Sequence, residues 1–374
     1  MLPYGRQSVD ESDIRAVAEV LRGDWLTTGP AVTRFESELA RWTGGVPCLA
    51  VTSGTAALHV AYAAAGVGAG DEVITSPLTF VATAATAALR GARVRFADVQ
   101  PDTGNLDPDA ASALVTGRTR AITAVDYAGH PADYDELREV ASAAGAVLIG
   151  DAAHSIGSAY KDRPVGSLAD LTTFSFFPTK TVTTAEGGAV VAAAPGLLAA
   201  ASRFRNHGLV RDPAEQRDPG EGGWHQEVHA FGLNYRLPDV LCALGTSQLG
   251  RLAAFRARRA ELFDRYDRLL AGLPGLTLPA RRPYVSPSWH LYPVRIGGGR
   301  RRETYERMRA AGIGVQVNYL PAYWHPVFAD LGYRRGLCPA AEAYYAEELS
   351  LPLFPALTDA DQDRVVEALA DILS

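Results

Sequence analysis

"DYDELREVASAAGAVLIGDAAH", residues 133–154, decides the fold. Its first part, up to Gly145, reads as a helix. "AVLIG" after it is a short, near-continuous apolar run bounded by turn residues, and reads as a strand. A strand apolar along its whole length is buried on both faces, as in a parallel sheet covered by helices. The alternation recurs outward in both directions. "CLAVTSGTAALHVAYAAAG" (48–66) reads as a strand, a turn through Ser53-Gly54 and an Ala-rich helix. "DEVITSP" (71–77), "ARVRFADV" (92–99), "RAITAVDYAG" (120–129) and "LTTFSFF" (171–177) are further short apolar or β-branched runs. Strands alternating with helices indicate an α/β fold with a mostly parallel sheet.

From about Gly250 the texture changes. "LGRLAAFRARRAELFDRYDRLLAGL" (249–273) has the pattern of a long, charged amphipathic helix. "HLYPVRI" (290–296) and "GVQVNYLP" (314–321) look like strands, and "RRETYERMRAAG" (301–312) like a helix. The expected division is 1–250 for an N-terminal segment and large domain, and 251–374 for a smaller α+β domain joined rigidly by the long helix.

The 374 residues are 47% hydrophobic and 21% charged, enough to bury a core without disulfides or metals. Cys48, Cys242 and Cys338 are widely separated and odd in number. They fit neither a disulfide framework nor a zinc site, so a reducing cytoplasm is expected and no metal is. A net charge of −6 argues against non-specific binding to nucleic acid or an anionic membrane. The start, "MLPYGRQSVDESD", lacks the pattern of a signal peptide. The longest apolar run, "GGAVVAAAPGLLAAAS" (187–202), is broken by Pro195 and Gly196 and too short to span a bilayer.

Chemistry centres on Lys180. Of 36 basic residues only Lys161 and Lys180 are lysine. Arginine serves well as a solvated charge, but it cannot lose its proton near neutral pH and attack a carbonyl. Lys180 is therefore either a surface lysine or a candidate Schiff-base former. Lys161, in the turn "YKDRPVG", has nothing catalytic around it. Asp151 closes the run "AVLIG", and strand carboxyl ends form the ligand crevice of parallel α/β sheets. A carboxylate there suits a pyridinium nitrogen, or else caps a helix or forms a structural salt bridge. Ser53 and Gly54 lead into a helix whose free N–H groups suit a phosphate, and Ser175 adds a hydroxyl. Phe80 follows another strand end and is either a stacking aromatic or a core residue. His154, three residues after Asp151, shares its face if the segment is helical. Metalloprotease, nucleophile-elbow and Walker motifs are absent from the sequence.

The order of phosphate turn, aromatic, strand-end Asp, Ser and Lys resembles the fold-type I aminotransferases that use pyridoxal phosphate (PLP). Within them it resembles the sugar aminotransferases of the DegT/StrS type. The likeness runs nearly end to end and is densest in "DWLTTGP" (24–30), "SGTAAL" (53–58), "SPLTFVATA" (76–84) and "DAAHSIGS" (151–158). Further on it continues in "FSFFPTKTVTTAEGGAVV" (174–191), "NHG" (206–208) and "GLNYRLPDVLCALGTSQL" (232–249).

This resemblance implies PLP bound covalently by Lys180, with Asp151 on the ring nitrogen, His154 by the phenolic oxygen and Phe80 on the ring. It implies phosphate contacts from Gly54, Thr55 and Ser175, and from Asn234 of a neighbouring subunit, hence a homodimer with shared sites. The group it resembles most aminates the 4-keto group of a UDP-linked 4-keto-6-deoxy-N-acetylhexosamine, with L-glutamate as donor. In that group Tyr4, Asp24, Trp25, Leu26, Thr27, Ser53, Gly54 and the segment Gln316–Tyr319 line the sugar nucleotide. Asn318-Tyr319 stands where that group leads one to expect His-Tyr. A dTDP-linked keto sugar or a keto-cyclitol is the alternative substrate. Related sugar dehydratases carry His in place of the lysine, which Lys180 speaks against. A PLP-binding regulatory protein without turnover is a remote alternative.

Overall fold

The computed structural model describes residues 1–374. Seven strands form the main sheet: β1 (Cys48–Val51), β2 (Glu72–Thr75), β3 (Arg93–Phe96), β4 (Thr119–Val125), β5 (Val147–Asp151), β6 (Leu171–Ser175) and β7 (Gly188–Val191). Their order across the sheet is β1-β7-β6-β5-β4-β2-β3. β7 runs antiparallel to both neighbours, and the β6-β5-β4-β2-β3 pairs are all parallel. Every strand but β7 therefore points the same way, and six carboxyl ends share one edge of the sheet.

Both faces of this sheet are covered, which explains its unbroken apolar strands. In β1, Leu49 and Val51 pack into one core cluster while Cys48 and Ala50 pack into the other. Val73 and Ile74 of β2 divide in the same way, as do Ile149 and Leu148 of β5. The period-2 geometry of a strand sends neighbours to opposite faces, so each layer of helices meets its own apolar surface.

A third cluster joins Leu262, Phe263 and Tyr266 with Tyr292, Val294, Leu349 and Leu351, and with Val365 and Leu369 of the final helix, Asp359–Leu373. Its sheet has three strands, Leu276–Thr277, Tyr292–Ile296 and Glu348–Leu351, all antiparallel. The chain's first residues belong here too. Leu2 bridges Ile313, and Leu353 N–H donates to the Tyr4 carbonyl at 3.0 Å. Trp289 and Phe263 stack with ring centroids 3.8 Å apart. Arg259 threads the cluster almost without exposure, donating to the Leu353 carbonyl at 2.9 Å and the His290 carbonyl at 3.3 Å.

Two expectations need correction. "GVQVNYLP" is not a strand. It bridges the sheet only at Gln316, opposite Ser350, and the Asn318 N–H goes to the Glu348 side chain at 2.6 Å. A side chain has taken the place of the ladder partner. The segment after Asp151 is a pair of turns rather than a helix, so His154 is placed by the turn and not by helical spacing. The long helix of 249–273 is present as Leu252–Leu270, preceded by a separate helix, Asp239–Gly250, with a break at Arg251. No helix is long and apolar enough to cross a membrane.

Candidate active site

A cavity of about 440 Å³ opens at the carboxyl edge of the main sheet, where the smaller sheet's segment 316–319 faces it. The end of β1 leads through Ser53 into the helix Gly54–Ala64. Ser53 caps that helix, accepting from Ala56 N–H at 3.0 Å, while Ala57 N–H donates to the Ser53 carbonyl. The N–H groups of Gly54 and Thr55 are left free at the positive end of the helix dipole. Gly54 is needed for a steric reason, because a Cβ there would lie 2.7 Å from Cβ of Ser175. Two free N–H groups and a serine hydroxyl thus converge on one small concavity, as an oxyanion of phosphate requires.

Asp151 ends β5, 5% exposed. Thr83 Oγ1 donates to its Oδ2 at 2.6 Å, and Ala153 N–H to its Oδ1 at 3.3 Å. Burial raises its pKa, although these two donors and Lys180 oppose the rise. No salt bridge neutralises it. A buried carboxylate without an ion-pair partner calls for a cationic N–H, which a protonated ring nitrogen supplies.

Lys180 lies in the loop after β6, half-buried, and its Nζ makes neither ion pair nor hydrogen bond. Burial lowers its pKa to about 8 against the pull of Asp151. Lys161 shows the contrast, ion-paired to Asp135 at 2.8 Å beside the Tyr160 ring.

His154 donates or accepts at 3.1 Å with the Tyr319 hydroxyl through Nε2, and its ring lies 4.3 Å from that of His290. Both histidines are buried with Nδ1 unpartnered. Burial first, and then nearby positive charge, holds both pKa values well below the usual range, so both rings are neutral. Phe80 is 60% exposed and meets Tyr319 edge to face at 6.3 Å. It is a cavity wall and not a core residue.

Of the residues picked from the sequence, Tyr4, Ser53, Gly54, Thr55, Phe80, Asp151, His154, Ser175, Lys180, Asn318 and Tyr319 line this one cavity. Asn234 and the segment Asp24–Thr27 do not. Trp25 and Leu26 are more than half exposed, and Asn234 lies beyond an exposed stretch that includes Phe231. Sequence reading passed over Thr83, His290 and Thr179. The hydroxyl of Thr83 faces Asp151 from the helix Ala82–Leu89, and no spacing announces that. His290 opens "HLYPVRI", a position that could have been questioned because histidine is rare here, with 8 in the chain.

The donor set fits PLP: a free amine of lowered pKa, an unpaired buried carboxylate, an anion cradle and an aromatic wall around one cavity. These features define an aminotransferase of the PLP-dependent kind. The model of the DegT/DnrJ/EryC1/StrS aminotransferase family matches residues 7–370, and the chain belongs to that family. A Campylobacter jejuni protein named UDP-4-amino-4,6-dideoxy-N-acetyl-beta-L-altrosamine transaminase is 37% identical, aligned over all of this chain and 98% of its own. Among solved structures, Helicobacter pylori PseC, an aminotransferase of pseudaminic acid biosynthesis, superposes with a TM-score of 0.93 at 31% identity, covering 100% of this chain and 99% of its own. A putative sugar aminotransferase of Streptococcus pneumoniae, Spr1654 in its pyridoxamine-phosphate form, gives 0.93 at 30% identity with the same coverage.

Proposed function

We propose that the protein transfers an amino group from L-glutamate to the 4-keto group of a UDP-linked 4-keto-6-deoxy sugar, in a homodimer with shared active sites. The observation that carries the reading is the meeting of two sets of groups over one cavity. Lys180, Asp151 and the 53–55 cradle approach from the large sheet, and Tyr4 with Gln316–Tyr319 from the other side. The relative named a UDP-sugar transaminase supports the substrate class, at 37% identity over the whole chain.

When bound, PLP accepts the amino group from one substrate, passes it to the other and serves as electron sink. The roles of the chain's own residues follow from their surroundings. Lys180 Nζ would hold the cofactor until the donor's amine displaces it, and the freed neutral amine would take the proton from the donor's α-carbon. Asp151, oriented by Thr83, keeps the ring nitrogen protonated. The N–H groups of Gly54 and Thr55 and the Ser175 hydroxyl hold the phosphate. Phe80 would cover one ring face, and neutral His154, fixed by Tyr319, would face the ring oxygen. Asn234 and the segment Asp24–Thr27 serve the partner's site. Their exposure in a single chain, with Phe231 of the same stretch as Asn234 97% exposed, supports that arrangement. A cytoplasmic location fits three buried, unpaired cysteines.

The test is a pair of half-reactions. L-glutamate should convert the loaded enzyme to the amine form. A UDP-linked 4-keto-6-deoxy-N-acetylhexosamine should then restore the aldehyde form faster than a dTDP-linked keto sugar or a keto-cyclitol does. Restoration by the dTDP sugar or the cyclitol alone, or by none of them, would refute the substrate assignment.

A further inference from the structure

Asn318 is 4% exposed and lines the cavity, yet it is held from behind at three points. Its N–H donates to Glu348 Oε2 at 2.6 Å, its carbonyl accepts from the Tyr127 hydroxyl at 2.5 Å, and its Nδ2 donates to Ser350 Oγ at 3.0 Å. Ser350 Oγ in turn donates to Glu348 Oε1 at 2.6 Å. Glu348 and Ser350 are themselves completely buried on the strand behind the segment.

A serine hydroxyl has one proton to give. With Glu348 ionised, that proton goes to its carboxylate, so towards Asn318 the hydroxyl can only accept. The amide must present its NH2 end to Ser350, because the reversed amide would set two acceptors against each other. Oδ1 is left pointing away from Ser350 with no partner in the chain.

We propose that Asn318 is a specificity-determining residue whose Oδ1 accepts a hydrogen bond from a hydroxyl or amide N–H of the substrate sugar, and that Ser350 and Glu348 are positioning residues that fix this polarity. The inference rests on the sugar-nucleotide reading above and deepens it. An imidazole in the same place would give one N–H to Ser350 and turn a bare nitrogen to the cavity, so histidine and asparagine offer the same acceptor there.

The direction of the relay depends on Glu348 being ionised. Burial pushes its carboxyl up to about 8. Arg301 is the cation acting on it, Arg295 stands opposite it on the neighbouring strand, and the phenols of Tyr4, Tyr127, Tyr319 and Tyr344 face it un-ionised. Once protonated, Glu348 donates to Ser350, the hydroxyl turns to Asn318, and the amide reverses.

The experiment is steady-state kinetics at pH 9, where Glu348 is ionised, with L-glutamate and a UDP-linked 4-keto-6-deoxy-N-acetylhexosamine on the loaded enzyme. Asn318→Leu and Ser350→Ala should each raise the sugar's KM by roughly 3- to 10-fold, the worth of one hydrogen bond, with kcat held within about threefold. Retention of the cofactor's absorbance shows that the site has folded. Glu348→Gln should match Ser350→Ala, because its NH2 must face Ser350 while its oxygen takes the Asn318 N–H. Asn318→His should recover most of what Asn318→Leu loses. The wild-type KM should fall as pH rises through about 8, and Ser350→Ala should lose that dependence while keeping any pH effect on kcat from Lys180. A wild type that uses the sugar while Asn318→Leu keeps its KM would overturn the inference alone. A wild type that takes no nucleotide sugar would overturn the functional reading and this inference with it.

Discussion

Lys180 can act as nucleophile and base only as a neutral amine, and burial in the cleft brings its pKa down to about 8. The neutral fraction grows as pH rises. The rate at which the cofactor-free protein recaptures PLP should therefore climb through pH 8 and level off above it, rather than climbing towards 10.5 as for an ordinary lysine. Stopped-flow absorbance across that range checks the point. Asp151 depends on Thr83 in a similar way. Thr83→Val keeps the shape but removes the 2.6 Å donor, leaving a buried carboxylate short of one bond. That costs roughly 1–3 kcal/mol of stabilisation of the charged form, so transfer should slow by about tenfold, read as kcat with KM little changed. The sequence made Lys180 conspicuous because arginine fills nearly every other basic position. It gave no comparable sign of Thr83, whose importance lies in a contact across 68 residues.

At the scale of elements, the site is a product of strand direction. Six strands end on one edge, and β1, β5 and β6 each deliver a polar residue there, with Ser53 just beyond the first. The apolar runs revealed those strands because burial on both faces leaves no polar alternation. The segment Gln316–Asn318 was harder to read, since its backbone is fixed by the side chains of Glu348 and Tyr127 and not by its own periodicity. The turn after Asp151 is held by the Ala152 N–H on the Thr173 carbonyl of the neighbouring strand, which no spacing announces. The anion cradle is the most exacting element. Gly54→Ala forces its Cβ against Ser175, which should destabilise the protein by about 1–3 kcal/mol and weaken PLP binding. Urea unfolding and cofactor titration would both register the change.

At the scale of the molecule, one chain supplies a cavity but leaves Asn234 and Asp24–Thr27 outside it. We infer that each site is completed by the partner. Lys180→Arg and Asn234→Ala are each expected to be nearly inactive. Refolded together from a 1:1 mixture, random dimers would carry intact sites at about a quarter of positions, so activity should return to roughly a quarter of the wild-type value. No recovery would mean that each chain works alone.

With only two lysines in the chain, one measurement bears on all of this most directly. The loaded protein is reduced with borohydride, digested and mapped by mass spectrometry. The account predicts the pyridoxyl group on the peptide carrying Lys180 and none on Lys161. A label on Lys161, or no covalent label at all, would contradict it.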